Sequence, residues 1–448
     1  MCMALLSSCH IYRNYQRPEG LPVDSLFRET DSSRTEDFLI LGDLPWQEMF
    51  RDTLLQNLIR YGLANNTDMQ TALLRVDQAK AQLKAARLSF LPSLTLSPQG
   101  TLTGTDGSKT VKTYELPVQA SWEIDLFGNL CNAKKGTQAT LLQQKAYQQA
   151  VRSELIATIA NDYYSLLMLD EQLEISRATL DVWREQIRTM ESKFKVGEET
   201  ENAITQACAN LYELEATHND LQRQQREAEN TLCTLLGTTS RSIQRGSLEQ
   251  QNFPELINIG VPLRLLSKRP DVVQAEMTLA NAYYTTNQAR SAFYPNLTLT
   301  GSAGWTNSLG QVVTNPGGWI LSAVASLTQP IFNRGKLISN LRVSKDDEQI
   351  ALLAYKQALL DAGQEVNDAL YATEAAQRTL GSHQKQCKEL ERTVQTSEAL
   401  YQTGNATYLE LLTARQSLLN ARLNVVSDRF TRCQSIINLY NALGGGCE

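Results

Sequence analysis

The sequence predicts an α+β membrane protein with an internal tandem duplication, in which a trimeric 12-stranded β-barrel (four strands per chain) is continued by a long α-helical barrel. Three observations predict it. The chain is written twice, each copy sets strand-like alternation beside a helix far too long for a globular core, and four strands cannot close a barrel alone.

The duplication is read by matching segments. Ala86-Arg87 leads into Phe90-Leu91-Pro92-Ser93-Leu94, and Ala289-Arg290 leads into Phe293-Tyr294-Pro295-Asn296-Leu297, an offset of 290 − 87 = 203. Asp68 and Ala72 match Asp271 and Ala275 at the same offset. Leu126-Phe127 matches Ile331-Phe332 at 205, and Phe194 with Gly197 matches Tyr401 with Gly404 at 207. Leu236-Gly237 and Leu443-Gly444 close the two copies. The organisation expected is an N-terminal lipid-anchor and extended segment at 1–43, a first structural repeat at 44–240, a linker at 241–264 and a second repeat at 265–448.

Each repeat opens with a helix, expected over 53–91 and 270–293, that ends at a proline. Strands follow. From Tyr114 to Leu126, Tyr114, Leu116, Val118, Ala120, Trp122, Ile124 and Leu126 alternate with polar residues, apart from Pro117. This is period two, with one apolar and one polar face. Trp319, Leu321, Ala323, Ala325 and Leu327 repeat the pattern. Partner strands are expected at 94–104 and 297–305, with loops at 105–111 and 307–318 as external tips. A small soluble sandwich would also alternate, but the polar faces carry carboxylates and amides like a wet lumen. Membrane barrels need closure, and the smallest use about eight strands, so four are too few for entry into a membrane; three chains would give twelve, the trimer expected here.

Long helices come next. No proline interrupts Gly128 to Lys195 or Gly335 to Gln402, spans on the order of 100 Å at 1.5 Å per residue. The glycines at Gly197 and Gly404 mark turns, and those after Leu236 and Leu443 suit helix ends. In the last helix Leu412, Leu419, Val426, Cys433 and Tyr440 recur every seven residues, as do Leu409, Leu423, Phe430 and Ile437, with Gln416 as the one polar member. Such heptads imply lateral helix packing, which a plain coiled-coil rod would also satisfy. The rod does not explain the strands.

The bulk composition narrows the function. A formal charge of −6 argues against a phosphate-binding surface and hence against nucleic acid. No apolar run is long enough for a transmembrane helix, a test that a β-barrel escapes. The eight cysteines form no Cys-x-x-Cys pair, and His10, His218 and His383 have no ligand spacing, so neither metal nor cofactor is expected. There is no Gly-rich phosphate loop or nucleophile elbow, and Asp346-Asp347 reads as a solvated helix face. A non-enzymatic protein is expected. Leu6-Ser7-Ser8-Cys9 fits a lipobox, with Cys9 as the acylated residue, although Met1 to Leu6 is short and lacks Lys or Arg.

Several stretches together resemble the TolC-type outer membrane factor family, in particular the lipoprotein branch serving resistance-nodulation-division efflux systems. They include Leu44-Pro45-Trp46-Gln47-Glu48-Met49-Phe50, Leu265-Leu266-Ser267-Lys268-Arg269-Pro270-Asp271, Leu327-Thr328-Gln329-Pro330-Ile331-Phe332, Tyr401-Gln402-Thr403-Gly404 and the closing Leu439-Tyr440-Asn441-Ala442-Leu443-Gly444. The resemblance covers nearly the whole chain from about residue 44. It implies a homotrimer, lipid-anchored in the outer membrane with a periplasmic helical extension. That trimer would pass small molecules such as drugs from an inner-membrane pump through a periplasmic adaptor. A duct for protein secretion keeps the same fold, and a trimeric coiled-coil surface protein is the alternative of a different class. The resemblance also implies adaptor-contact tips at Gly197, Glu198, Gly404 and Asn405, and a periplasmic gate with a leucine ring at Leu409. Where the family often has an aspartate ring this chain has Thr413; Glu201, or Glu410 beside the leucine, could supply the negative field instead.

Overall fold

The computed structural model describes residues 12–18, 41–104, 106–107, 109–251, 253–254, 269–309 and 312–447. Cys9 and its lipobox lie outside the described residues. The element order is α1 (Trp46–Met49), α2 (Thr53–Asn65), α3 (Thr67–Leu88), β1 (Ser93–Leu96), β2 (Gln99–Thr103), β3 (Val111–Ile124), α4 (Asn129–Lys195) and α5 (Glu201–Leu235). After a linker with a short 3-10 turn at Leu248–Gln250 come α6 (Pro270–Ser291), β4 (Asn296–Leu309), β5 (Val312–Thr328), α7 (Lys336–Gln402) and α8 (Tyr408–Ala442). The duplication is visible in the lengths. Helices α3 and α6 are both 22 residues, α4 and α7 both 67, and α5 and α8 both 35.

Two compact units are formed. The first takes Met1–Leu21, Leu73–Tyr147 and Asp271–Ala358; the second takes Pro22–Ala72, Gln148–Pro270 and Leu359–Glu448.

The first unit holds one antiparallel sheet in the order β1-β3-β4-β5, with β2 continuing the β1 edge along β3. The expected strand 94–104 is thus in two pieces. Pro98 has no amide hydrogen to give the ladder, and Ser97 donates its own to the Pro117 carbonyl at 3.1 Å across the interruption. Pro117 itself sits inside β3 opposite Gly304. A Cβ at Gly304 would lie 2.6 Å from the Pro117 Cα, so only glycine fits the strand that meets this proline. Two boundaries differ from expectation. Strand β3 begins at Val111 and ends at Ile124. Most of the expected 307–318 loop is strand, because Ser308 pairs with Val313 and Leu309 with Val312 beyond a register shift at Thr306/Ser308. The bulge lets the hairpin continue past turn-forming Pro316, Gly317 and Gly318.

Helices of the same unit carry a short extended strap, residues 12–18. Tyr283 Oη donates to the Arg13 carbonyl at 3.0 Å, and the Tyr15 amide donates to Tyr284 Oη at 3.3 Å. Arg17 then forks onto Glu276, with Nε to Oε1 at 2.9 Å and Nη2 to Oε2 at 2.6 Å. The strap therefore runs antiparallel to α6.

In the second unit Asn66 corrects the expectation of one helix over 53–91. It terminates α2 with its amide on the Gly62 carbonyl and starts α3 by accepting from the Asp68 and Met69 amides, both at 2.9 Å. Its Nδ2 also holds the Leu235 carbonyl at the end of α5, so one residue serves three helix termini, two of them through its side chain. Gly197, Gly237, Gly404 and Gly444 all have positive φ, and each follows the last helical turn with its amide bonded back three residues. These are the left-handed C-terminal caps that the duplication places at equivalent points. Thr200 and Thr407 supply the matching N-caps, accepting from the Ala203 and Glu410 amides. The 412-419-426-433-440 heptad of α8 is buried along its whole length, while Leu409 of the companion heptad is 62% exposed.

Candidate functional site

The strand register carries the most information. Leu116 pairs with Trp305 and Trp305 with Trp319; Val118 with Ala303 and Leu321; Ala120 with Gly301 and Ala323. Trp122 continues with Leu299 and Ala325, and Ile124 with Leu297 and Leu327. Side chains alternate along each strand, so these five rows share one face, and every residue in them is apolar. Leu94 and Leu96 extend it on β1, opposite Ala120 and Val118. The other face carries Glu115, Gln119, Ser121 and Glu123 on β3, with Thr298, Thr300 and Ser302 opposite on β4. From the Leu116 row to the Ile124 row is 124 − 116 = 8 residues, about 27 Å of strand at 3.4 Å each and roughly 21 Å of height at a tilt near 40°, most of the apolar band of an outer-membrane barrel. Trp305 packs edge-on against Trp319 at 5.7 Å, and its Nε1 donates to Tyr114 Oη at 3.4 Å. Aromatic residues with one polar tip at the end of an apolar band suit a membrane–water boundary. The outward edges of β1 and β5 have no strand partner among the described residues.

The second group of sequence-predicted residues lies at the helical tips. Gly197 and Glu198 end α4; Gly404 and Asn405 end α7. Nothing lies within 4 Å of a Cβ added at Gly197 or Gly404, so both turns are open. Leu409 and Thr413 lie one turn apart on α8, and Thr413 Oγ1 donates to the Leu409 carbonyl at 2.8 Å. That bond keeps the hydroxyl on its own helix and leaves Thr413 no formal charge. Glu201 is exposed at the first position of α5 and forms no ion pair among the described residues. Within one chain Glu201 is not bonded to Leu409 or Thr413.

Beneath these residues is a network that the sequence reading missed. Tyr401 Oη donates to Glu199 Oε2 at 2.5 Å, and Lys193 Nζ sits 4.9 Å from the centroid of the Tyr401 ring. Burial, then the Glu199 carboxylate, hold the Tyr401 phenol above its ordinary value, so it stays protonated and able to donate. Tyr401 also meets Tyr408 edge-on at 5.8 Å, over a core of Ile187, Met190, Ala207 and Leu412. Arg415, with its side chain 12% exposed, reaches Glu398 Oε1 at 3.1 Å and Gln186 Oε1 at 3.5 Å. The only available signal was an arginine beside an apolar heptad. No cluster of three or more metal-ligating side chains occurs among the described residues, and no described helix is long and apolar enough to cross a membrane.

The chain is similar to known proteins along its length. The family model for "Outer membrane efflux protein" matches residues 58–238 and 261–445. The cation efflux system protein CusC of Escherichia coli K12 is 29% identical over 452 residues, covering 99% of this chain and 98% of CusC. The probable outer membrane lipoprotein SilC of Salmonella typhimurium is 28% identical, covering 99% and 96%. The open-state crystal structure of the MtrE outer membrane channel of Neisseria gonorrhoeae superposes with a TM-score of 0.88 at 27% identity, covering 97% of this chain and 98% of MtrE.

Proposed function

The chain belongs to the outer membrane efflux protein family, and from that membership we propose that it is the passive, trimeric outer-membrane duct of a tripartite efflux pump. Its cargo is small molecules such as drugs, received from an inner-membrane pump through a periplasmic adaptor. The observation that carries this reading is the strand register. Three hydrogen-bonded strands put every apolar side chain of five rows on one face, and neither outer edge of the sheet has a strand partner among the described residues. Four strands per chain from three chains give the twelve that close such a wall without an exposed edge.

The helical tips are its periplasmic end. Leu409 narrows the passage there with Thr413 one turn behind it, and Glu201 supplies negative field from the first tip. Gly197, Glu198, Gly404 and Asn405 form the open turns that an adaptor grips. The 44–240 and 265–448 repeats supply alternate segments of the wall, which their equal helix lengths support. Transport by such a duct needs shape and a gate, with no covalent step.

Cys9 is the lipid attachment point. Tyr12 packs near the sheet, since a Cβ at Gly128, just past β3, would lie 3.5 Å from its ring. Cys9 precedes Tyr12 by three positions in the sequence, a reach of at most about 11 Å, so an acyl chain on Cys9 enters lipid at the foot of the barrel. Purified protein in planar lipid bilayers tests the duct. Discrete single-channel steps are expected, and protein that inserts without conducting would overturn the reading.

A further inference from the structure

We infer that the strand-walled section of the duct favours cations, and that Glu115 and Glu123 set this preference. The inference rests on the trimeric duct proposed above and adds which charge of solute the wall admits.

The register assigns the two carboxylates to the polar face. Glu115 lies in the row Gln99–Glu115–Thr306–Gly318, and Glu123 in the row Glu123–Thr298–Ser326. Their cross-strand neighbours are uncharged. Neither forms an ion pair among the described residues. No Lys or Arg occurs on this face of the described strands; Lys112, the one basic residue within them, has the opposite parity and lies with Tyr114 and Leu116 on the apolar side. Three chains convert the pair into two rings of three uncompensated negative charges.

Magnitudes decide whether such rings matter. Twelve strands about 4.8 Å apart and tilted near 40° close at a backbone radius of roughly 12 Å. Glutamate side chains reach several ångströms inward, so the axis lies within about one Debye length, near 8 Å at physiological salt. Every permeating ion therefore feels the rings. The two rings are 123 − 115 = 8 residues apart, about 27 Å along the strand and roughly 21 Å along the axis at that tilt, more than two Debye lengths. They act independently, and their effects add. At the tip, Thr413 contributes no formal charge.

The experiment is the reversal potential of wild-type channels in planar bilayers under a potassium chloride gradient. Glu115→Gln, Glu123→Gln, the double variant and Glu201→Gln are measured beside it. Glutamine keeps the size and hydrogen bonding of glutamate, and a retained trimer mass in detergent checks each fold. Supporting results are a cation-selective wild type, a partial loss of preference in each single variant, and in the double variant a larger loss than Glu201→Gln produces. An unselective or anion-selective wild type overturns the inference while leaving the duct intact, as does a double variant that keeps the preference while Glu201→Gln abolishes it. Protein that forms no channel overturns the duct reading itself.

Discussion

The Tyr401 phenol and the Glu199 carboxylate are 2.5 Å apart, joining the end of α7 to the turn before α5 across 202 residues of sequence. It is the shortest bond between the two helical tips of one chain, and it lies over a small apolar core that Tyr408 and Leu412 share. Opening a passage at this end by separating the tips has to break it. Tyr401→Phe keeps the ring over Lys193 and removes only the donor. The loss, on the order of 1 kcal/mol for a partly exposed charged hydrogen bond, should raise the opening equilibrium roughly fivefold. Single-channel recording reads this as a higher open probability at unchanged unit conductance; an unaltered open probability would show that the bond does not hold the tips.

Leu409 is exposed in the single chain, whereas its heptad mates Leu423 and Phe430 are partly buried and Ile437 is fully buried. If three copies meet there, Leu409→Ala widens the constriction. The expected result is a higher unit conductance and greater sensitivity of cells to large antibiotics. Unchanged conductance would remove Leu409 from the gate. Unlike Tyr401→Phe, this variant should alter the size of the current step more than its duration.

Asp162 on α4 offers a pH test of stability. Burial pushes its carboxyl up to about 6, and Oδ2 has no hydrogen-bond partner. The native state thus binds this proton more tightly than the unfolded chain, whose carboxyl titrates near 4. Stability from this group is present in acid and is lost as pH rises from about 4 through about 6. Asp162→Asn should raise the melting temperature at neutral pH, leave it nearly unchanged in acid, and flatten the slope between. A parallel shift at every pH would contradict the assignment.

Two glycines with the same backbone hand should differ in cost. Gly404 has φ +75 with open space around it, whereas Gly237 has φ +69 and a Cβ there would meet the Asn65 carbonyl oxygen at 2.8 Å. Gly404→Ala should cost about 1 kcal/mol from the left-handed conformation alone. Gly237→Ala adds a backbone clash and should lower the melting temperature further. Equal losses would mean that the Asn65 turn yields freely.

Cys9→Ala should abolish incorporation of labelled palmitate and leave the fold intact, because the strap is held separately by Arg17 on Glu276. Label retained in the variant would move the acylation site elsewhere.

Much of this architecture is legible in the sequence because single residues decide it locally. Gly128 and Gly335 precede the long helices, Thr200 and Thr407 cap the returning ones, and the period of two in β3 names its faces before any partner is known. The errors also have local causes. Asn66 breaks a helix whose apolar pattern runs on unbroken, because its side chain caps the start of α3 and the end of α5, which only tertiary contact brings together. Strand β5 passes through Pro316, Gly317 and Gly318, residues that read as a turn, because a bulge absorbs the shift in register. The tip network was invisible for another reason. Glu199 and Tyr401 meet only after both hairpins have folded, and nothing in either segment alone marks the other as partner.

The most direct test of the central claim is the mass of the protein extracted from outer membranes in detergent, with the bound detergent subtracted. A mass of three chains is predicted, since three sets of β1/β2, β3, β4 and β5 close a twelve-stranded wall with no edge in lipid. A stable single chain or dimer that needs no detergent would leave the apolar strand face without a membrane and would contradict the account.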